Sequence, residues 1–177
     1  MRIVAGKYRG KKLKEFELNT TKPTLDRVKE SIFNLIQFDI TDAVVLDLFA
    51  GTGALGIEAI SRGAKKTFLV DANAEAVKII KENTKNMVED FEIVHTSAME
   101  YLSKTKQKFN IVLLDPPYKT DLGTQVINYI INKDLLEDDG IIIFETSRDL
   151  NLTLNFENYK TTVRNYGTVA VYKIVKE

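Results

Sequence analysis

The sequence predicts an α/β fold: a seven-stranded, mostly parallel sheet with helices on both faces and an antiparallel last hairpin. Three observations carry this. Short apolar runs alternate with helix-spaced stretches from residue 44 to residue 146, and alternating strands and helices build a parallel sheet. One run passes directly into a glycine-rich turn and then a helical stretch, the layout of a nucleotide-binding βα unit. The last two strand-like runs flank Gly167, which suits a tight reversal and antiparallel pairing.

Each element follows from its own pattern. Residues 1–18 read as a short β-hairpin turned at Gly6 or Gly10. Thr24 to Phe38 carries Leu25, Val28, Ile32, Leu35 and Ile36 at helical spacing, and Pro23 just before it suits a helix start. Strand 44–49 is near-continuously apolar, as expected of a strand covered on both faces. Helix 54–62, strand 67–71, helix 74–86, strand 91–95, helix 98–104 and strand 110–115 follow. Helix 121–132, strand 141–146 and two strands near 159–165 and 168–175 complete the chain. No repeat, low-complexity tract or linker interrupts it, so residues 1–177 read as one domain, a basic hairpin (1–18) on a core (19–177).

Composition excludes several classes. The chain has no cysteine and one histidine, which removes a disulfide framework and makes a zinc site improbable. The N-terminus has no signal-peptide core and no apolar run approaches membrane-spanning length, so a cytoplasmic location is expected. The net charge of zero conceals an asymmetry: residues 1–14 hold Arg2, Lys7, Arg9, Lys11, Lys12 and Lys14 and no acid. The other 163 residues carry 19 basic and 25 acidic groups, a net of −6. A basic arm on an acidic body suggests a polyanionic partner; the plainer reading is a solvated edge whose lysines block aggregation.

Two strand ends carry the chemistry. Val44 to Phe49 runs into Ala50-Gly51-Thr52-Gly53, where glycines let the backbone approach a ligand closely. Asp47 lies in that strand, and Asp71 closes the next strand, where an acid is placed to hold two ribose hydroxyls. The second strand end is Asp115-Pro116-Pro117-Tyr118, after Phe109-Asn110-Ile111-Val112-Leu113-Leu114. Two prolines fix φ and remove both N–H groups. An acidic side chain, stiff backbone carbonyls and an aromatic face converge there. Such a site accepts two hydrogen bonds from an NH2 group and stacks a flat ring, which fits a nucleobase with an exocyclic amine.

These residues resemble a known family. Asp47-Leu48-Phe49-Ala50-Gly51-Thr52-Gly53 resembles the first motif of S-adenosylmethionine-dependent methyltransferases, and Asp115-Pro116-Pro117-Tyr118 the amino-methylating motif of that superfamily. Arg2 to Leu13 is similar to the opening of the RsmD-type 16S rRNA guanine-N2 methyltransferases, Lys22 to Glu30 to their helix-opening segment, and Tyr166-Gly167-Thr168 to their late hairpin. The likeness covers nearly the whole chain. It implies a Rossmann-like class I methyltransferase that uses S-adenosyl-L-methionine, needs no metal, and acts as a monomer on 16S rRNA or the assembling small subunit. Implied cofactor residues are Asp47, Phe49, Ala50, Gly51, Gly53, Asp71, Ala72, Ser97 and Ala98; Ser97 stands where many methyltransferases carry an acid. Implied catalytic residues are Asp115, Pro116 and Tyr118. RNA contacts are expected from the six arm cations and Arg27.

Other readings compete at single positions. Asp47 can cap its turn. Asp71 can cap helix 74–86, although Asn73 is better placed. His95 reads as structural, Arg27 as an ion-pair partner of Glu30, and Glu145 as either a pocket wall or a strand-end cap. At the level of function, the glycine turn also suits an NAD-dependent oxidoreductase, which has no use for Asp115 to Tyr118. A non-catalytic RNA-binding module predicts RNA affinity without methyl transfer. A DNA-adenine or protein-glutamine amine presents the same NH2 group as a guanine.

Overall fold

A computed structural model describes residues 1–16, 23–117 and 120–177, with side chains of the first helix from Asp26 onward. Helix α1 spans Pro23–Leu35. Strand β1 (Val44–Asp47), α2 (Ala54–Ser61), β2 (Lys66–Asp71), α3 (Ala74–Thr84) and β3 (Phe91–His95) follow. Then come α4 (Ala98–Lys104), β4 (Phe109–Leu114), α5 (Leu122–Asn132), β5 (Leu136–Ser147), β6 (Tyr159–Tyr166) and β7 (Val169–Lys176). One seven-stranded sheet runs β3-β2-β1-β4-β5-β7-β6. Its β3-β2-β1-β4-β5 part is parallel and β7 pairs antiparallel with both β5 and β6.

The order reverses direction between β1 and β4. A crevice opens at such a switch point beyond the carboxyl ends of the strands, where open α/β sheets bind ligands. Burial explains why the strands are apolar throughout. In β5, Ile142 and Phe144 enter the core under α4 and α5, while Ile141 and Ile143 enter the core under α1. In β4, Val112 and Leu114 face the first layer and Ile111 and Leu113 the second. Both faces are covered, so successive side chains are buried in turn.

Several boundaries differ from the sequence reading for local reasons. Helix α1 stops at Leu35 rather than Phe38, because the chain turns there, with Asp39 N–H donating to Ile36 O at 3.0 Å. Phe38 is left 91% exposed. Strand β5 begins at Leu136, five residues early. The exposed Glu137-Asp138-Asp139 hides this start from a hydrophobicity pattern, and the ladder with β4 shifts register between Phe109 and Ile111. A short 3-10 turn, Arg148–Leu150, follows β5.

The N-terminal arm makes one antiparallel bridge, Arg2 with Lys12, and its loop needs both Gly6 and Gly10 at positive φ. It is clamped to the core. Glu58, fully buried on α2, accepts from Val4 N at 2.9 Å, Ala5 N at 3.0 Å and Arg62 Nε at 2.8 Å. Lys29 of α1, 3% exposed, lies 3.3 Å from the same carboxylate and donates to Arg2 O. A Cβ on Gly6 would sit 1.8 Å from Ser61 O, so only glycine lets the arm approach α2 this closely.

Candidate active site

Four acidic residues meet at the carboxyl edge of the sheet. Asp47 ends β1, Asp71 ends β2, Asp115 follows β4 and Glu145 lies near the end of β5. The two-residue period of the strands decides their face. Val45, Leu113 and Ile143 all point into the core under α1, so Asp47, Asp115 and Glu145, two residues further on, turn the same way.

Asp47 is 1% exposed, and its Oδ2 accepts from Gly56 N at 2.8 Å. A Cβ on Gly56 would lie 2.7 Å from Leu69 Cδ2 and 3.0 Å from that Asp47 oxygen. Glycine there lets α2 seat on the sheet with its N–H on the carboxylate. Burial pushes the Asp47 carboxyl up to about 7, opposed by the Gly56 hydrogen bond and assisted by Asp71.

Asp71 organises the turn. Its Oδ2 accepts from Gly51 N at 2.8 Å and its Oδ1 from Asn73 N at 2.8 Å. Asn73, rather than Asp71, caps α3, accepting from Glu75 N at 2.8 Å. Gly51 (φ 56°) and Gly53 (φ 82°) take the left-handed conformation that the turn requires. Nothing lies within 4 Å of a Cβ placed on Gly51, so that side of the turn faces open space. Ala50 is buried and donates to Val70 O at 3.0 Å, and Phe49 packs partly buried against the core. Ala72 is exposed beside the turn.

Ser97 has a structural use. It caps α4, its Oγ accepting from Glu100 N at 3.3 Å, and Ala98 is buried behind it. His95 Nε2 donates to Ala72 O at 3.0 Å, which ties the end of β3 to the β2–α3 loop. A cavity of about 470 Å³ between β3 and α4 is lined in part by Val94, His95 and Tyr101. It reaches the end of β3 at His95 and Thr96, and none of Asp47, Asp71, Asp115 and Glu145 lines it.

Asp115 is reached by solvent at the floor of the crevice yet is ringed by protein. That surrounding burial raises its pKa well above the ordinary carboxylate value, with the charges of Glu145 and Asp47 adding to the rise. Water entering the crevice tempers the burial contribution. The Glu145 contribution stands on geometry, since the residue is 5% exposed on the adjacent strand. Pro116 is buried and Pro117 exposed. A Cβ on Gly123 of α5 would lie 2.5 Å from the Phe144 ring and 3.1 Å from Pro116 Cγ. Glycine at this helical position therefore lets α5 press on Pro116 and fix the strand tip. Tyr118, expected to stack on a base, lies outside the described residues.

The arm cations divide into two groups. Lys7 pairs with Glu89 at 2.6 Å and Lys14 with Glu82 at 2.7 Å, while Lys11 Nζ donates to Asn83 O at 2.7 Å. Arg2, Arg9 and Lys12 are exposed and form no ion pair with a described residue. Arg27 is also exposed on α1, and the expected pair with Glu30 does not form among the described residues. Sequence reasoning missed Asn83, Glu58, Ser61 and Gly123. Their signals are buried or close-packed contacts between segments far apart in the chain, which no local pattern records.

The family profile described as conserved hypothetical protein 95 matches residues 1–174. Ribosomal RNA small subunit methyltransferase D of Haemophilus influenzae is 34% identical over 179 residues, covering 98% of this chain and 92% of that protein. This chain belongs to the RsmD family. YlbH of Bacillus subtilis is 36% identical over 181 residues, covering 98% of both chains. The solved structure of yhhF from Escherichia coli superposes with a TM-score of 0.90 at 31% identity, covering 100% of this chain and 98% of that one. The RsmD likeness thus runs from the basic arm to β7, and the sheet order and last hairpin are those of a Rossmann-like methyltransferase.

Proposed function

We propose that this chain transfers a methyl group from S-adenosylmethionine to the exocyclic N2 amine of a guanine in small-subunit ribosomal RNA. The observation that carries the reading is the pairing, across the switch point, of an open glycine turn held by Asp71 with an acidic strand tip followed by two prolines. The first half suits a nucleoside and the second an amine.

The residues present fit S-adenosylmethionine. Asp71 keeps lone pairs for ribose hydroxyls after serving Gly51 and Asn73. The acidic surroundings of Asp47, Asp71 and Glu145 suit a ligand that carries positive charge. Phe49, Ala50, Ala72, Ser97 and Ala98 border the same turn and the adjacent loop. When bound, the cofactor supplies a methyl group already activated on a sulfonium.

The chain's own work is on the amine. A guanine N2 lone pair is delocalised into the ring and is a poor nucleophile. The Asp115 carboxylate and the Pro116 carbonyl accept the two amine hydrogens, which favours a pyramidal nitrogen with a localised pair. Asp115 and Glu145 also supply a negative field where the nitrogen becomes cationic. The raised pKa of Asp115 suits it to take the proton that the methylated nitrogen loses. Exposed Arg2, Arg9 and Lys12 contact phosphates and hold the RNA over the crevice.

The test is labelled-methyl transfer from S-adenosylmethionine to undermethylated small ribosomal subunits, followed by nucleoside analysis. The label is expected in N2-methylguanosine. Label in a methylated adenine, or in protein glutamine, would redirect the reading to another amine. No transfer to subunits or RNA, with RNA affinity retained, would favour a non-catalytic RNA-binding module.

A further inference from the structure

Asn83, on α3, makes contacts that neither half of the proposed reaction uses. It is 4% exposed, and its side-chain amide is spent on two separate parts of the molecule. Oδ1 accepts from Lys14 N at 2.7 Å, and Nδ2 donates to Lys14 O at 3.1 Å. Nδ2 also donates to Thr52 O at 2.9 Å. One amide therefore holds both backbone polar groups of an arm residue together with a carbonyl between Gly51 and Gly53. The same stretch of arm is gripped again by Lys11 Nζ on Asn83 O at 2.7 Å and by the Lys14 side chain itself, its Nζ on Glu82 at 2.7 Å.

We infer that Asn83 is a positioning residue that couples the cofactor turn to the RNA-binding arm, so that filling the turn strengthens capture of RNA. The inference rests on the reading above, in which the turn holds the cofactor and the arm holds RNA. The physical basis is the shared bond. A ligand that immobilises Thr52 also immobilises the Asn83 amide, and through it the backbone of Lys14. A second ligand then meets an arm that is already ordered and loses less conformational freedom on binding. Coupling of this kind is reciprocal, so RNA on the arm strengthens cofactor binding by the same factor. An asparagine suits the task because it offers one acceptor and two donors on a flat group. An aspartate would set a carboxylate oxygen against two carbonyls.

The test measures affinities in a four-way cycle with S-adenosylhomocysteine, which cannot react, and a 16S ribosomal RNA transcript. In the unaltered chain, bound S-adenosylhomocysteine is expected to tighten RNA binding about fivefold or more, the lower end of ordinary coupling. In Asn83→Leu, which keeps the branched shape and heavy-atom count of the side chain and removes all three hydrogen bonds, the factor is expected to fall to about one. A purely structural asparagine would lower both affinities and leave their ratio intact. That outcome, or an unaltered chain that binds both ligands without coupling, overturns the inference and leaves the methyltransferase reading standing. An unaltered chain that binds neither ligand overturns the reading itself and the inference with it. Should Asn83→Leu fail to fold, amide exchange at Lys14 in the unaltered chain decides the matter. Protection there is expected to rise about fivefold or more when S-adenosylhomocysteine alone is added, and no change overturns the coupling.

Discussion

At the residue scale the site is a set of carboxylates whose environments differ. Asp47 is buried on a single backbone N–H, whereas Asp71 spends its two oxygens on Gly51 and Asn73, and Asp115 meets solvent beside buried Glu145. The acids at the strand ends were legible in the sequence because aspartates close apolar runs beside glycine and proline. Which of them shares a face was not, since parity becomes visible only once Val45, Leu113 and Ile143 are seen in one core. Asp47 carries a pH prediction. A carboxyl whose folded pKa is raised contributes stability below its unfolded value near 3.8, and that contribution is lost as pH climbs to about 7. Asp47→Asn fixes the site in an uncharged form. Its stability relative to the parent should therefore rise between pH 4 and pH 7, by on the order of 4 kcal/mol at most. Denaturant unfolding at the two pH values measures it, and a pH-independent difference would mean that Asp47 ionises normally in the folded chain.

Elements place those residues. The mostly parallel sheet and the antiparallel hairpin followed from alternating apolar runs and Gly167, and the helices from spacing, whereas the strand order β3-β2-β1-β4-β5-β7-β6 emerges only in the structure. What the pattern lost were the polar start of β5 and the points where two elements press together. Gly123 is one such point: read as a helix interior it is merely unfavourable, and only Phe144 and Pro116 against it give a reason. Gly123→Ala gains helix propensity at a solvated position, but here the methyl has no room. Thermal unfolding should show a net loss of about 1–3 kcal/mol, the usual effect of overpacking. Turnover should fall as well, since the strand tip carrying Asp115 must shift. A more stable Gly123→Ala with full activity would remove α5 from the support of the site.

Across the whole molecule, an acidic crevice lies beside a basic arm, and the arm is part of the core rather than an appendage. The sequence showed the charge asymmetry but not its disposition, because Lys7, Lys11 and Lys14 are engaged by α3 and the loop after it. This changes which cations should be released to RNA. Replacing Arg2, Arg9 and Lys12 with glutamine should weaken RNA binding and flatten its dependence on salt. The slope of log affinity against log salt should drop by about 0.7–0.9 for each phosphate that is no longer neutralised. Replacing Lys7 and Lys14 should change the slope less, because their charges are already paired with Glu89 and Glu82. Equal slopes in all three proteins would make the arm a solvated edge and move RNA recognition to the strand-tip loops. Among the described residues no helix is long and apolar enough to cross a membrane.

The central claim is that the strand tip after β4 activates an amine while the turn after β1 holds the cofactor. Single-turnover methyl transfer by Asp115→Ala, with cofactor affinity measured on the same protein, tests it most directly. Under the proposed mechanism Asp115 accepts from the amine and balances charge as the methyl moves, so its loss should act on the transition state. The rate should fall about 100-fold or more, while cofactor affinity stays within about threefold of the parent. An Asp115→Ala protein that methylates at the parental rate would contradict the claim.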